Sequence, residues 1–199
     1  MPQTQDTSLE KLLGTIRNHH PGADFSMVEE AYYFSKNAHK NQVRVSGENY
    51  FIHPFNVALL LAQKGLDDVV VASALLHDVV EDTHIDGKEI RRLFGKKVSV
   101  LVEGVTKLDL LSFKSRQEQS AANIIKTLAA ASKDPRVFVI KMFDKLHNMR
   151  TLKFLPKEKQ QRIAGDVLTI YVPLVHKLGM HELKYELEDL AFRALEPKK

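Results

Sequence analysis

The sequence contains no cysteine, and this absence excludes several classes of chemistry. A chain without cysteine forms no disulfide, no thiolate metal site and no cysteine nucleophile, and it fits a reducing compartment. The sequence also lacks an apolar run of the roughly 18 residues that a membrane span requires. Its first residues lack the apolar core of a signal peptide. We therefore expect a cytoplasmic protein that has no membrane partner.

A strong charge of either sign is absent too. The formal net charge of the 199 residues is +4, and the lysines and arginines are spread along the chain. This weak basic excess suits an anionic ligand, but it does not indicate nucleic-acid binding. The sequence leaves the oligomeric state open.

No stretch has the alternating pattern of a strand, whereas helical periods and helix-capping residues recur. The sequence therefore predicts an all-α fold, a bundle of about ten helices in one domain over residues 1–199. A capping box of Ser26 and Glu29 is expected to start the second helix, and Asp67 to cap a buried one. Loops are expected at residues 41–51 and 108–115. The predicted helices cover residues 8–19, 26–40, 54–65, 69–82, 86–95, 96–107, 116–132, 134–152, 156–179 and 181–195.

The segment 69–82 is the most informative part of the chain. Its first eight residues are almost all apolar, which predicts a helix buried on every side. Four ionisable residues then follow within six positions: His77, Asp78, Glu81 and Asp82. Buried charges are costly unless they are paired or coordinate a metal, so a bound cation is the simplest explanation. On one continuous helix His77 would share a face with Glu81, and Asp78 with Asp82. The alternative is a helix end that emerges into solvent.

Two further segments offer metal ligands. His53 lies at a junction between a loop and a helix, next to Pro54. The helix predicted over 134–152 is largely apolar, with one polar stripe that either faces water or lines a cavity. The stripe consists of Lys141, Asp144, Asn148 and Thr151. If His53 and Asp144 join His77 and Asp78, two imidazoles and two carboxylates form a site that suits Mn²⁺, Fe²⁺ or Zn²⁺ more than Ca²⁺.

These residues resemble a known signature. His53, the pair His77-Asp78 and the distant Asp144 are similar to the motif of HD-domain phosphohydrolases. Five longer blocks, in order, resemble the hydrolase domain of RelA/SpoT homologues, and the resemblance extends over about residues 25–197. The blocks are Arg44-Val-Ser-Gly-Glu-Asn-Tyr-Phe-Ile-His-Pro54, His77-Asp-Val-Val-Glu-Asp82, Gly104-Val-Thr-Lys107, Asp144-Lys-Leu-His-Asn-Met-Arg-Thr-Leu152 and Ile170-Tyr-Val-Pro-Leu-Val-His-Lys-Leu-Gly179.

The resemblance implies hydrolysis of the alarmones ppGpp and pppGpp. Such enzymes remove the 3′-pyrophosphate and release GDP or GTP, usually with Mn²⁺; Zn²⁺ and Fe²⁺ are the alternatives. By position, the resemblance assigns the metal to His53, His77, Asp78 and Asp144. It assigns the attacking water to Glu81 and Asp82, which would orient and deprotonate it. The implied substrate contacts are Arg44, Ser46, Lys107, Lys141, Asn148 and Thr151.

The sequence departs from the family in the loop before His53. The family loop usually has Arg-Lys-Ser-Gly-Glu-Pro-Tyr, and here Val45 replaces the lysine and Asn49 the proline. Losing the lysine removes one cation beside the nucleotide. A phosphohydrolase for another nucleotide, such as a dNTP or NADPH, therefore stays open as an alternative.

A non-catalytic nucleotide-binding regulatory module is a second alternative, and the intact Glu81 and Asp82 argue against it. The sequence shows no alarmone synthetase region. It is expected to be either a stand-alone small alarmone hydrolase or the hydrolase domain of a longer protein.

Overall fold

The computed structural model describes residues 7–115 and 134–196, and for residues 109–115 it describes the backbone alone. The fold class is confirmed, since no strand occurs within those ranges and the number of α-helices is close to the predicted ten. An isolated antiparallel bridge joins Val43 to Asn49. The predicted helix 116–132 lies outside the described residues. The helices are α1 (Leu9–His19), α2 (Ser26–Ala38), α3 (Ile52–Gln63), α4 (Asp68–Leu76), α5 (Val79–Asp82), α6 (Gly87–Ser115), α7 (Pro135–Arg150), α8 (Lys157–Asp166), α9 (Val172–Lys177) and α10 (His181–Leu195).

The described residues fall into two compact units. The first contains the residues up to 107 together with 134–143, and the second contains those from 108 to 115 and from 144 onward. The helix α7 belongs partly to each. The single-domain organisation expected from the sequence stays a prediction.

The helix α4 lies at the centre of the first unit. Every residue from Val70 to Leu76 is buried, as expected for a helix that is apolar all round. The helices α2 and α3 both pack against it, and α1 packs against α3. Asp67 caps α4, because its carboxylate accepts a hydrogen bond from the amide of Val70 at 2.8 Å. This predicted cap is confirmed.

The predicted capping box at the start of α2 is wrong. Ser26 is already the first helical residue, and the N-cap residue is Phe25, which contributes no side-chain cap. The carboxylate of Asp24 instead accepts a hydrogen bond from the amide of Ser26 at 2.9 Å. Asp24 thus accepts a hydrogen bond from the first backbone N–H of α2 that has no partner within the helix, so Ser26 is not needed as the cap.

The helix α6 combines two predicted helices. Gly95 interrupts it with φ 80° and ψ 177°, a backbone conformation that disfavours residues with a Cβ, so the predicted stop at Gly95 is confirmed. The predicted loop 108–115 is wrong, because the backbone stays helical through Ser115.

A close approach joins α6 to α7 in the first unit. A Cβ atom on Gly104 would lie 2.7 Å from Cγ2 and 3.0 Å from Cγ1 of Val137. Val137 is 1% exposed and its side chain is stiff about χ1, so it cannot move aside at low cost. The glycine is therefore required by this packing contact.

The second unit contains α8, α9 and α10. A π-helical turn at Val167–Tyr171 links α8 to α9, so the helical backbone predicted over 156–179 is confirmed in outline. The helix α10 packs against α8, α9 and the π turn. Its buried residues Leu183, Leu187 and Ala191 recur every fourth position, on one face. No helix in the described ranges is both long and apolar enough to cross a lipid bilayer.

Candidate metal centre and its surroundings

The pair His77-Asp78 lies in a break between two helices. We expected one helix through residue 82, and that prediction is wrong, because α4 ends at Leu76 and α5 begins at Val79. The imidazole Nδ1 of His77 lies 2.8 Å from the carbonyl oxygen of Ala74 and donates to it. A side chain that occupies a helix carbonyl competes with the regular backbone bond, which explains the break. Asp78 and Asp82 are still related by one helical turn, because the Asp82 amide donates to the Asp78 carbonyl at 2.8 Å.

The two imidazoles face one carboxylate. His53, the second residue of α3, is 2% exposed and His77 is 1% exposed. Their ring centroids are 5.3 Å apart. Nε2 of His53 lies 3.5 Å from one carboxylate oxygen of Asp78, and Nε2 of His77 lies 3.0 Å from the other. The structure thus brings together three predicted ligands from α3 and from the turn after α4.

Asp144 supplies a further ligand atom. It is 3% exposed on α7, and its Oδ1 accepts a hydrogen bond from the side-chain amide of Asn148 at 2.6 Å. One ligand atom from each of His53, His77 and Asp144 lies within 4.8 Å of the others. These three buried residues can hold a metal ion.

The donor set fits a divalent transition metal. Ligands bound at about 2.1 Å to one ion lie roughly 3.0–3.5 Å from each other, which matches the imidazole-to-Asp78 distances. The bond from Nδ1 of His77 to Ala74 fixes the tautomer, so Nε2 carries the lone pair that a metal needs. Nitrogen together with carboxylate oxygen suits Mn²⁺, Fe²⁺ or Zn²⁺.

Glu81 and Asp82 lie on α5 and both are exposed. The phenol hydroxyl of Tyr50 lies 2.5 Å from Oδ2 of Asp82 and 3.1 Å from Oδ2 of Asp78. Burial, followed by the negative charge of Asp78 and the bonds to both carboxylates, raises the pKa of Tyr50 well above its ordinary value of 10.0. Tyr50 therefore stays protonated and acts as a hydrogen-bond donor.

The loop 41–51 carries Arg44 and Ser46, and the predicted loop is confirmed. The Arg44 guanidinium lies 5.8 Å from the ring centroid of Tyr50. The Ser46 hydroxyl donates to Oε2 of Glu48 at 3.0 Å, and the Arg44 amide donates to the Glu48 carbonyl at 2.9 Å. These contacts form a compact loop immediately before His53.

The remaining predicted substrate contacts have different surroundings. Lys107 on α6 is 67% exposed and lies 3.9 Å from Glu103. Lys141 is 5% exposed, so this part of the predicted stripe does not face water. Asn148 bonds to Asp144, and the hydroxyl of Thr151 donates to the carbonyl of His147 at 3.1 Å. Asn148 thus orients a proposed metal ligand, which the sequence did not predict.

Three residues around Asp82 were missed: His39, Gln42 and Tyr50. His39 is fully buried, and Gln42 and Tyr50 lie at the two ends of the loop. Tyrosine and glutamine are uncharged at neutral pH, so a search for metal ligands and general bases passes over them. Tyr50 precedes His53 by three residues, and that spacing was the available signal.

Comparison with known proteins identifies the family. The model of the HD domain matches residues 31–181, which is more than half of the chain. The chain is 46% identical over 193 residues to a protein of Streptomyces coelicolor named GTP pyrophosphokinase, covering 96% of this chain and 23% of that protein. It is 45% identical over 190 residues to the bifunctional (p)ppGpp synthase/hydrolase SpoT of Escherichia coli, covering 96% of this chain and 27% of SpoT.

A solved structure is similar as well. It is described as a metazoan ortholog of SpoT that hydrolyzes ppGpp and plays a role in starvation responses. The two share 26% sequence identity with a TM-score of 0.66, over 84% of this chain and 94% of that one. The chain spans about a quarter of the length of the curated relatives. The resemblance expected from the sequence is confirmed, and the chain belongs to the HD domain family.

Proposed function

We propose that the chain hydrolyses the 3′-pyrophosphate of ppGpp and pppGpp, releasing pyrophosphate with GDP or GTP. The observation that carries this proposal is the buried group of His53, His77 and Asp144 in an HD domain. Relatives of similar sequence are named for (p)ppGpp hydrolysis, and a similar structure comes from a protein that hydrolyzes ppGpp.

The proposed metal is one Mn²⁺ ion, held by His53, His77, Asp78 and Asp144. The contacts of Asp78 with both imidazoles support its inclusion in the ligand set. When bound, a divalent ion lowers the pKa of its water and offsets negative charge on the phosphoryl oxygens. Asn148 holds the Asp144 carboxylate in one orientation through its amide.

Glu81 and Asp82 are proposed to orient the attacking water and to accept its proton. Both carboxylates are exposed, so water and substrate can reach them. Asp82 lies on the same short helix turn that follows Asp78, and Tyr50 bonds to both aspartates. A carboxylate one turn beyond a metal ligand is within reach of a water at that metal.

The substrate contacts are proposed to come from Arg44, Ser46, Lys107, Lys141, Asn148 and Thr151. Arg44 and Ser46 belong to the loop that leads into His53, so they would bind the guanine nucleotide beside the reacting group. A guanidinium both stacks on a base and pairs with phosphate, which makes Arg44 the principal candidate. Lys107 and Lys141 would counter phosphate charge. A cytoplasmic location stays a prediction.

A different nucleotide substrate is the second candidate, because Val45 stands in place of the usual lysine. Val45 is 74% exposed in the loop that carries Arg44 and Ser46. An apolar residue there contributes no charge to a phosphate, which favours a substrate with less negative charge at this position.

The proposal is tested by incubating the chain and Mn²⁺ with ppGpp, pppGpp, dNTPs and NADPH, and separating the products by ion-exchange chromatography. We expect GDP and pyrophosphate from ppGpp, and no turnover after EDTA treatment. Faster turnover of a dNTP or NADPH than of either alarmone would support the second candidate. Intact ppGpp in every sample would contradict the proposed function.

A further inference from the structure

The carboxylate and the backbone of Asp82 are both held by residues outside the predicted site. Tyr50 donates its hydroxyl to Oδ2 at 2.5 Å, and the side-chain amide of Gln42 donates to the Asp82 carbonyl at 2.6 Å. Asp82 is exposed and ends the four-residue helix α5. A helix of one turn has little stability of its own, so these two bonds define where the carboxylate lies.

Gln42 and Tyr50 are joined to each other. The amide of Tyr50 donates to the carbonyl of Gln42 at 2.9 Å, and the bridge between Val43 and Asn49 continues this pairing. The two residues therefore form the base of a closed loop, and Arg44 lies nearer its tip. The base of this loop contacts Asp82 at two points.

His39 supports both residues from the protein interior. Its Nδ1 lies 2.6 Å from Oε1 of Gln42, and because an amide oxygen accepts but does not donate, Nδ1 carries the proton. Its ring stacks on Tyr50 with centroids 4.9 Å apart and planes 24° apart. His39 is fully buried, so its position is fixed by packing. It thereby orients the Gln42 amide and the Tyr50 ring together.

We propose that His39, Gln42 and Tyr50 are positioning residues that hold the carboxylate of Asp82 in the orientation for accepting a proton from the attacking water. We call these three residues the Asp82 clamp. The inference rests on the proposed function, because it assigns to the clamp the placement of a proposed general base. A base misplaced by about 1 Å loses much of its effect on the rate.

The principal variant is Tyr50→Phe, which removes one hydroxyl and keeps the ring that stacks on His39. We expect kcat for ppGpp to fall by about 10- to 100-fold, the range for loss of a hydrogen bond to a charged group, while KM changes little. Tm and bound Mn²⁺ should stay at the wild-type values. Tyr33→Phe is the matched control, because it removes the same atom from a tyrosine on α2 that is 61% exposed. It should keep the wild-type kcat.

A double-mutant cycle separates an effect through Asp82 from any other effect. If Tyr50 acts through Asp82, Tyr50→Phe should lower kcat no further in an Asp82→Asn background. An equal fold reduction in both backgrounds would overturn the inference, as would loss of Mn²⁺ from the Tyr50→Phe chain. Unchanged kcat in the single variant would overturn it too.

A second measurement does not depend on activity. Hydrogen–deuterium exchange in residues 79–82 should be faster in Tyr50→Phe and in Gln42→Met than in the wild type and in Tyr33→Phe. Unchanged exchange in both clamp variants would overturn the clamp. If the wild-type chain fails to hydrolyse ppGpp while exchange responds as expected, the proposed function fails and the clamp stands as a structural device around Asp82.

Discussion

The backbone of residues 77–82 and the backbone of residues 181–195 are determined by different interactions. The helix α10 extends over His181–Leu195, as its apolar period predicts, and its buried face packs on the neighbouring helices. The segment 77–82 was expected to continue a helix, but it contains a turn at His77-Asp78 and a separate one-turn helix. In α10 the buried side chains serve packing. In 77–82 the side chains bond to the backbone, to each other and to Tyr50, and the bond from His77 to the Ala74 carbonyl interrupts the helix.

The difference indicates that local sequence preference fails to predict the backbone where side chains bond to backbone carbonyls and to neighbouring loops. Natural sequences are locally consistent over most of their length and depart from that consistency at functional positions. Substitutions should therefore have different consequences in the two regions. Changes in 77–82 and its partners should reduce activity more than stability, and equivalent changes in 181–195 should leave activity unaltered.

The largest effect is expected from removing a proposed metal ligand. Asp144→Asn should lower bound Mn²⁺ and reduce ppGpp hydrolysis by about 10³-fold or more, because a metal contributes several kcal/mol to the transition state. Some stability should also be lost, since metal binding is coupled to folding. Metal content by mass spectrometry, measured beside kcat, tests this. His84→Ala is the control, because it changes an exposed histidine outside the site and should keep the wild-type metal content and kcat. Equal activity of Asp144→Asn and the wild type would refute the ligand assignment.

Glu81→Gln and Asp82→Asn should give the next largest effect. If these carboxylates act on the water, kcat should fall by about 10²–10⁴-fold, the usual range for a positioned acid or base, while Mn²⁺ stays bound. Asp189→Asn makes the same kind of change on α10, where Asp189 pairs with Arg193 at the surface, and it should keep the wild-type kcat. Loss of metal together with activity would instead make the changed residue a ligand.

Two glycines, one in a packed contact and one without neighbours, test how packing affects stability. Gly104→Ala should destabilise the chain by about 1–3 kcal/mol, because its Cβ would overlap Val137 in a tightly packed contact. Gly165→Ala in α8 meets no atom within 4 Å and should stabilise the helix by about 0.5–1 kcal/mol. Urea unfolding of both variants measures these values. Similar changes in the free energy of unfolding for the two would contradict the packing account.

The loop that precedes His53 should affect binding more than chemistry. Arg44→Ala is expected to raise KM for ppGpp by about 10-fold, the scale of one charge-assisted contact, with a smaller change in kcat. Val45→Lys restores the residue usual in the family and should lower KM. Steady-state kinetics of both variants test this prediction. A fall in kcat at constant KM for Arg44→Ala would place Arg44 at the transition state.

The smallest effect concerns the ion pair at the start of α7. The Arg136 side chain bonds to Asp134 at 2.8 Å, and this bond, with the Arg136 amide and charge, holds the pKa of Asp134 below its ordinary 3.8. A carboxylate with a depressed pKa stabilises the fold above the pKa of the unfolded chain, and that stabilisation is lost as pH falls through the folded pKa. Because the pair is partly exposed, Asp134→Asn should cost less than about 1 kcal/mol at neutral pH. This loss of stability should disappear in acid, as measured by Tm against pH. A loss of stability that persists in acid would not come from the Asp134 charge.

Much of the fold follows from apolar spacing and capping residues. The all-α class, the cap at Asp67, the helix end at Gly95 and the extent of α10 are all confirmed. The loop expected over 108–115 and the single helix expected through residue 82 are wrong. The second error arises because the bond from the His77 imidazole to the Ala74 carbonyl overrides the local helix preference.

The candidate site is predictable in part. Histidines and aspartates on separate segments indicated a metal, and the structure brings His53, His77 and Asp144 together. The roles assigned to individual residues stay predictions. The network of Tyr50 and Gln42 around Asp82 could not be inferred from the sequence, because it depends on how the loop 41–51 folds back over α5.

The contact between Gly104 and Val137 limits which substitutions these two positions can accept during evolution. A larger residue at position 104 is compatible with the packing only if position 137 becomes smaller at the same time. The two positions should therefore covary among homologous sequences, although they are far apart in the chain. Random mutagenesis of the Gly104→Ala variant, followed by selection for stability, should recover Val137→Ala or Val137→Gly as a compensating second change.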